Sequence, residues 1–214
     1  MSNTTGPNST GSNSTSETFI RQRLADGEAA VSEERWNDAI RCYEDVLQSL
    51  IELSDELGIA RIQLRIGQMH EQSGRPTEAV ENYTLVEQAA ARLRDRQLEA
   101  TALHRLGHVL RMNSPDQARE MFRRSLELGA PDQEANSLSL AMIGQIDFTA
   151  GDQRGGLETM LKAVNSMPDE TPSRDHLVEH IVYFGGKMER DEYVQLVERH
   201  TLDESLSLRL RSSP

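Results

Sequence analysis

Six histidines and a scatter of arginines are the residues whose types and spacing could do chemistry in this chain of 214 residues. His176 and His180 stand four apart around Glu179 and read His-Leu-Val-Glu-His. In that H-x-x-E-H order, two imidazoles on one helix face hold zinc and the carboxylate acts as base. Such chemistry also needs a third ligand and a pocket around the metal-bound water. Only 34 residues follow His180 to supply them. A zinc hydrolase is therefore a remote alternative, and ordinary surface or hydrogen-bonded histidines are expected. His104 and His108 share the same four-residue spacing without a carboxylate between them. No glycine-rich phosphate loop, nucleophile elbow or paired-carboxylate motif stands beside them. The expectation is a non-catalytic chain with no cofactor and no metal.

Charge and cysteine content narrow the partners. A net charge of −12 and an isoelectric point near 5.0 argue against nucleic acid or an anionic membrane, since both need a basic face to displace counterions. Cys42 is the sole cysteine, so there is no disulfide within the chain and no thiolate zinc site. Beside Tyr43, it reads as a buried structural thiol. No apolar run approaches the ~20 residues of a membrane span. The N-terminus has neither the basic region nor the apolar core of a signal peptide. The Asn-x-Ser/Thr triplets at Asn3, Asn8 and Asn13 then follow from a Ser/Thr/Asn-rich composition. A cytoplasmic protein is expected, with a protein or peptide partner.

The elements that must position any site are set by a repeat. Gly27 with Trp36, Ala39, Tyr43 and Val46 opens the series, followed by Ile66-Gly67 with Ala79, Tyr83 and Val86. Leu106-Gly107 with Ala118 and Phe122 comes next, then Ile143-Gly144 with Gly156, Met160, Ala163 and Pro168. The glycines are 40, 40 and 37 residues apart. Periods of this length mark arrays in which each supersecondary unit packs on its neighbours. The pattern within each copy is helical, and sustained alternation of a strand kind is absent. It predicts helices at about 18–32, 36–53, 56–73, 77–92, 96–112, 115–128, 132–150 and 153–167. Gly74-Arg75-Pro76, Ser114-Pro115 and Gly151-Asp152 punctuate the pairs. Residues 1–17 are almost wholly Ser, Thr, Asn and Gly, too polar to offset the entropy of ordering, and are expected to be disordered. Residues 169–200 form a weaker helical pair without the glycine and alanine signposts in register, expected to cap the array. Residues 201–214 are left as a C-terminal tail.

These signposts resemble the tetratricopeptide repeat, a helix–turn–helix unit with Leu-Gly in its first helix, a small residue in its second and an aromatic four residues beyond. The longer first copies resemble the forty-residue variant seen in scaffold and regulatory proteins. The resemblance covers residues 19–168. It implies an all-α fold, a right-handed superhelical array of antiparallel helix pairs whose first helices line a concave groove for peptides. Two departures stand out: Asp26 replaces the apolar residue before Gly27, and Gly156 replaces the second-helix alanine, at about 1 kcal/mol of helix propensity.

Carried over by register, the groove-facing positions of the second copy are Arg61, Leu64, Arg65 and Gln68. Those of the third are Thr101, His104, Arg105, His108 and Arg111, and the fourth adds Met142 and Phe148. Four arginines would make a basic groove in an acidic protein, with histidines that tighten binding below pH ~6.5. The family branch that clamps chaperone C-termini would use Leu24, Glu28, Arg65, Thr101 and Arg105, and Glu28 repels a carboxylate there. The function implied is a scaffold or adaptor that takes a partner segment, acidic in character, in the groove of repeats two and three. The alternative is a sensor of a peptide or signal that controls a separate effector protein.

Overall fold

The computed structural model describes residues 10–129, 133–169 and 171–212. Among the described residues there are eleven α-helices and no strand. They fall into two compact units, divided between Leu93 and Arg94.

The first unit holds α1 (Thr10–Ser32), α2 (Trp36–Glu52), α3 (Glu56–Gln72) and α4 (Pro76–Leu93). Its core gathers Ala30, Ala39, Ile40, Tyr43, Val46, Ile62, Ile66 and Met69, with Ile20, Leu24 and Val31 of α1 packed against it. Asp26 fits in the apolar position because Arg23 reaches it at 3.2 Å while also gripping Asp45 of α2. The glycine signposts are close approaches. A Cβ at Gly27 would lie 2.6 Å from the Tyr43 ring, and one at Gly67 would lie 2.7 Å from the Tyr83 ring. Each glycine thus receives an aromatic face from the second helix of its pair, and Tyr83 also donates its hydroxyl to Glu71 at 2.7 Å. Asp55 accepts the Gly58 N–H at 2.9 Å, which satisfies one orphan donor at the start of α3. Cys42 is buried, as expected.

The second unit holds α5 (Arg96–Leu110), α6 (Pro115–Leu128), α7 (Gln133–Thr149), α8 (Gln153–Ser166), α9 (Pro172–Gly185), α10 (Arg190–His200) and α11 (Glu204–Ser212). Gly107 meets Phe122 as Gly67 meets Tyr83. Between α7 and α8 the contact is closer still, backbone against backbone. A Cβ at Gly144 would sit 2.7 Å from the Gly156 carbonyl oxygen, and one at Gly156 2.5 Å from the Gly144 carbonyl oxygen. Asp152 caps α8 by accepting the Gly155 N–H at 2.9 Å. Ser114 stands at the N-cap of α6, yet its side chain makes no capping bond.

Helix ends agree with the sequence reading within two residues for α2 through α8, the usual spread at frayed termini. Three expectations change. First, α1 begins at Thr10, not near residue 18, so residues 10–17 extend a helix nucleated by the packed turns behind them, where propagation costs little. Residues 1–9 of the expected disordered segment lie outside the described ones. Second, the pair α9/α10 does carry the signpost: in Phe184-Gly185 the glycine falls 41 residues after Gly144, and a Cβ at Gly185 would press into the Tyr193 ring. Tyr193 follows only eight residues later instead of fifteen or sixteen, and this shortening hid the match. Third, part of the tail is structural. Leu206 and Leu210 of α11 are buried in the cluster that also holds Phe148, Leu157, Met160, Leu177, Ile181 and Tyr193, and Tyr193 donates its hydroxyl to the Leu210 carbonyl at 3.1 Å.

Candidate functional site

The expected site residues divide between the two units. In the first, α3 carries Arg61, Leu64, Arg65 and Gln68. Arg61 is exposed, and Leu64 and Gln68 are half-buried. Arg65 is engaged: its guanidinium contacts Glu28 of α1 at 3.2 Å and lies 5.9 Å from the Tyr43 ring centre. The residue that looked repulsive to a carboxylate is therefore the partner of one of the four arginines. Among the described residues, no carboxylate pairs with Arg61.

In the second unit, α5 is held at both ends. Asp95 accepts the Leu98 N–H at 3.0 Å, and Arg96 donates to the Leu128 carbonyl at 3.0 Å, fixing the start of α5 to the end of α6. Ser125 donates to the Ala100 carbonyl at 2.8 Å in the buried seam between α5 and α6. Across the next seam, Arg119 of α6 meets Asp147 of α7 at 2.7 Å. On this frame several expected groove residues turn out to be occupied. The Thr101 hydroxyl donates back to the Gln97 carbonyl at 2.8 Å. The His104 ring shares a 2.7 Å hydrogen bond between Nδ1 and Ser139 Oγ and packs edge-on to Phe122, 5.5 Å between centres. His108 packs against both, tilted to His104 with 5.3 Å between centres and edge-on to Phe122 at 6.0 Å. Burial, then the nearby His108 and Arg105 charges, push the His104 imidazolium pKa down to about 4. His104 thus stays neutral at pH 6.5, and the expected titration of that residue in a groove is corrected. Arg105 is half-buried on the same helix.

Phe148 is also corrected. It is only 4% exposed, because α8 presses its backbone against Phe148 at the Gly156 crossing. Its ring lies 4.9 Å from that of Phe184 on α9, and Phe184 is the one that reaches the surface. There a cleft of about 130 Å³ is lined by Arg111, Met112, Pro115, Met142, Gln145, Ile146, Thr149 and Phe184. Of the expected site residues the cleft brings together Arg111 and Met142, with the guanidinium 3.9 Å from the Met142 sulfur. Among the described residues no carboxylate pairs with Arg111. Phe184, Met112 and Pro115 were missed. The signal for Phe184 was its place before Gly185, the position that Ile66, Leu106 and Ile143 hold in the earlier copies.

His176, Glu179 and His180 are exposed on α9. Gln145 donates its amide to His180 Nδ1 at 2.7 Å, which gives that ring an ordinary hydrogen-bonding role. Among the described residues, no three His, Cys, Asp or Glu side chains gather as a metal site. No described helix is long and apolar enough to cross a membrane.

The helix pairs, their period and the glycine–aromatic seams meet a matching family description: residues 58–130 match the tetratricopeptide repeat. That stretch is a tetratricopeptide repeat segment. No curated protein sequence matches the chain. Solved structures share the fold at low identity. BtubC (BKLC) from P. vanneervenii superposes with a TM-score of 0.63 at 18% identity, over 73% of this chain and 68% of that one. A Podosopora anserina protein, a putative kinesin light chain with nearly identical tetratricopeptide-like repeats, gives 0.65 at 16% identity, over 91% and 97%. MamA gives 0.61 at 19% identity, over 86% and 93%. The tetratricopeptide seams explain the positions of Gly67 and Gly107, and the fold of these neighbours agrees with the all-α repeat architecture.

Proposed function

We propose that this tetratricopeptide repeat protein is a non-catalytic scaffold that holds an extended segment of a partner protein. The cleft between α5, α7 and α9 takes an apolar side chain, and Arg111 takes an adjacent carboxylate. The observation that carries the reading is Arg111 itself: an exposed guanidinium, without a carboxylate partner among the described residues, at the rim of a cleft floored by Met142, Ile146 and Phe184. A charge-assisted hydrogen bond from such a group is roughly twice as strong as a neutral one, and the thioether floor adapts to side chains of different shape. Tetratricopeptide repeats in general mediate protein–protein interaction, which agrees with this use of the surface. In the first unit, Arg61 offers a second cation without a carboxylate partner among the described residues, whereas Arg65 is balanced by Glu28. The basic surface read from the sequence thus contracts to fewer available charges.

A panel of short labelled peptides tests this by fluorescence anisotropy. Each has Asp or Glu beside Leu, Met or Phe, and is paired with its Asn or Gln counterpart. Acidic members should bind at least about tenfold tighter than neutral ones, the loss expected for one hydrogen bond to a charged group. Arg111→Glu should abolish the difference while circular dichroism stays unchanged. Equal binding of acidic and neutral peptides, or undiminished binding by Arg111→Glu, overturns the reading.

A further inference from the structure

Met112 is 80% exposed. Among the described residues it is the only exposed methionine. Met69, Met142, Met160 and Met167 are buried, and Met121 and Met188 are half-covered. It directly follows Arg111 at the end of α5 and shares the wall of the same cleft. We propose that Met112 is a selective oxidation site for hydroperoxides, and that its sulfoxide captures the Arg111 guanidinium and closes the cleft to anionic ligands.

The chemistry balances with the thioether and the peroxide alone. The thioether sulfur attacks the OH-bearing peroxide oxygen, the O–O bond breaks, an S–O bond forms, and the proton of the resulting S–OH passes to the second oxygen, which leaves as water or an alcohol. Sulfur loses two electrons and the peroxide gains them. Access sets the rate, because the sulfur must meet the oxidant in line with the O–O bond, and full or partial burial slows the other described thioethers. The product changes the site in kind. A thioether is a weak acceptor, whereas sulfoxide turns a flexible apolar side chain into a polar one. Its oxygen is then an acceptor next to the guanidinium, which at present contacts the Met142 sulfur at 3.9 Å. Arg111 exchanges this weak contact for a strong one, and a carboxylate ligand must compete for it. The effect on a partner rests on the proposed function; the oxidation and the capture of Arg111 do not.

The full chain is treated with limiting hydrogen peroxide, and sulfoxide at each methionine is quantified by mass spectrometry. Met112 should oxidise several-fold faster than Met121 or Met188. Reactivity of Arg111 toward phenylglyoxal is then measured in the oxidised wild type and in peroxide-treated Met112→Leu. It should fall several-fold in the first and stay constant in the second. Where an acidic peptide binds the reduced protein, oxidation should weaken it severalfold in wild type and leave Met112→Leu unaffected. Oxidation spread evenly over the exposed and half-covered methionines overturns the proposal, as does unchanged Arg111 labelling after Met112 is oxidised. Absence of peptide binding to either form counts against the proposed function alone, since the two labelling readouts still decide this one.

Discussion

Gly156 shows how one side chain can carry opposite expectations. In an isolated helix, Gly→Ala would gain about 1 kcal/mol of propensity. Here an added Cβ would stand 2.5 Å from both the Gly144 carbonyl oxygen and the Phe148 nitrogen, and backbone cannot swing aside as a flexible side chain can. Overpacking costs about 1–3 kcal/mol and outweighs the propensity gain, so Gly156→Ala should lower the midpoint of urea unfolding; a raised midpoint would mean that α7 and α8 separate freely. His104 gives a second test. Its pKa falls from the usual 6.5 to about 4 on folding, chiefly through burial, so the unfolded chain binds the extra proton first. Its contribution to stability is therefore complete above pH ~6.5 and is lost as pH drops toward 4, by up to about 3 kcal/mol. His104→Gln should flatten the stability–pH profile in that window relative to wild type. Identical slopes for the two proteins would show that the ring titrates normally.

Among the helices, α11 departs most from the sequence reading, since a segment set aside as tail supplies Leu206 and Leu210 to the core. Asp203 accepts the Ser205 N–H at 2.8 Å at the start of this helix, and the four-residue spacing of the two leucines puts both on one face. The Tyr193 hydroxyl bond to the Leu210 carbonyl then locks α11 over the α9/α10 pair. Leu210→Ala should cost about 2–5 kcal/mol, as for other fully buried leucines, read as a lower thermal midpoint by circular dichroism. A change within error would place α11 outside the cooperative structure. The earlier pairs, by contrast, had their limits written in punctuation. Gly74 adopts φ of +72° at the α3/α4 turn, a left-handed conformation that glycine takes without a steric penalty, and Pro76 opens α4 where its missing N–H is no loss.

Across the whole molecule, charge is unevenly used. A chain carrying −12 ties many arginines to acids on its surface, as in Arg35–Asp38 and Arg211–Glu198, both at 2.6 Å. Exposed pairs of this sort contribute about 0–1 kcal/mol each and weaken with salt, while salt also screens the self-repulsion of the excess acid. The two effects oppose each other. Raising ionic strength from about 0.05 to 0.5 M, where the Debye length shortens from above 10 Å to below 8 Å, should move the thermal midpoint by only a few degrees. The same change should visibly weaken acidic peptides bound at Arg111. A collapse of stability at high salt would mean that the surface pairs hold the fold together.

Spacing along the chain was enough to find α2 through α10, the repeat and the tetratricopeptide resemblance, because each unit buries its face against a sequence neighbour and so writes its contacts locally. Gly67 and Tyr83, or Gly107 and Phe122, are legible for that reason. The same locality failed where a connection shortened: Phe184-Gly185 held its place in the period, but Tyr193 arrived early and the fifth contact went unseen. The candidate site was less legible than the fold. That Arg65 meets Glu28, that His104 turns onto Ser139 and Phe122, and that Phe148 sinks while Phe184 surfaces all depend on the rotation of each helix about its axis. A shift of one residue turns a helix by about 100°, so a register that places a helix correctly can still assign its groove face to the wrong side chains. Packing settles that rotation, through contacts such as the backbone crossing of Gly144 and Gly156, and with it which arginine is left to meet a partner.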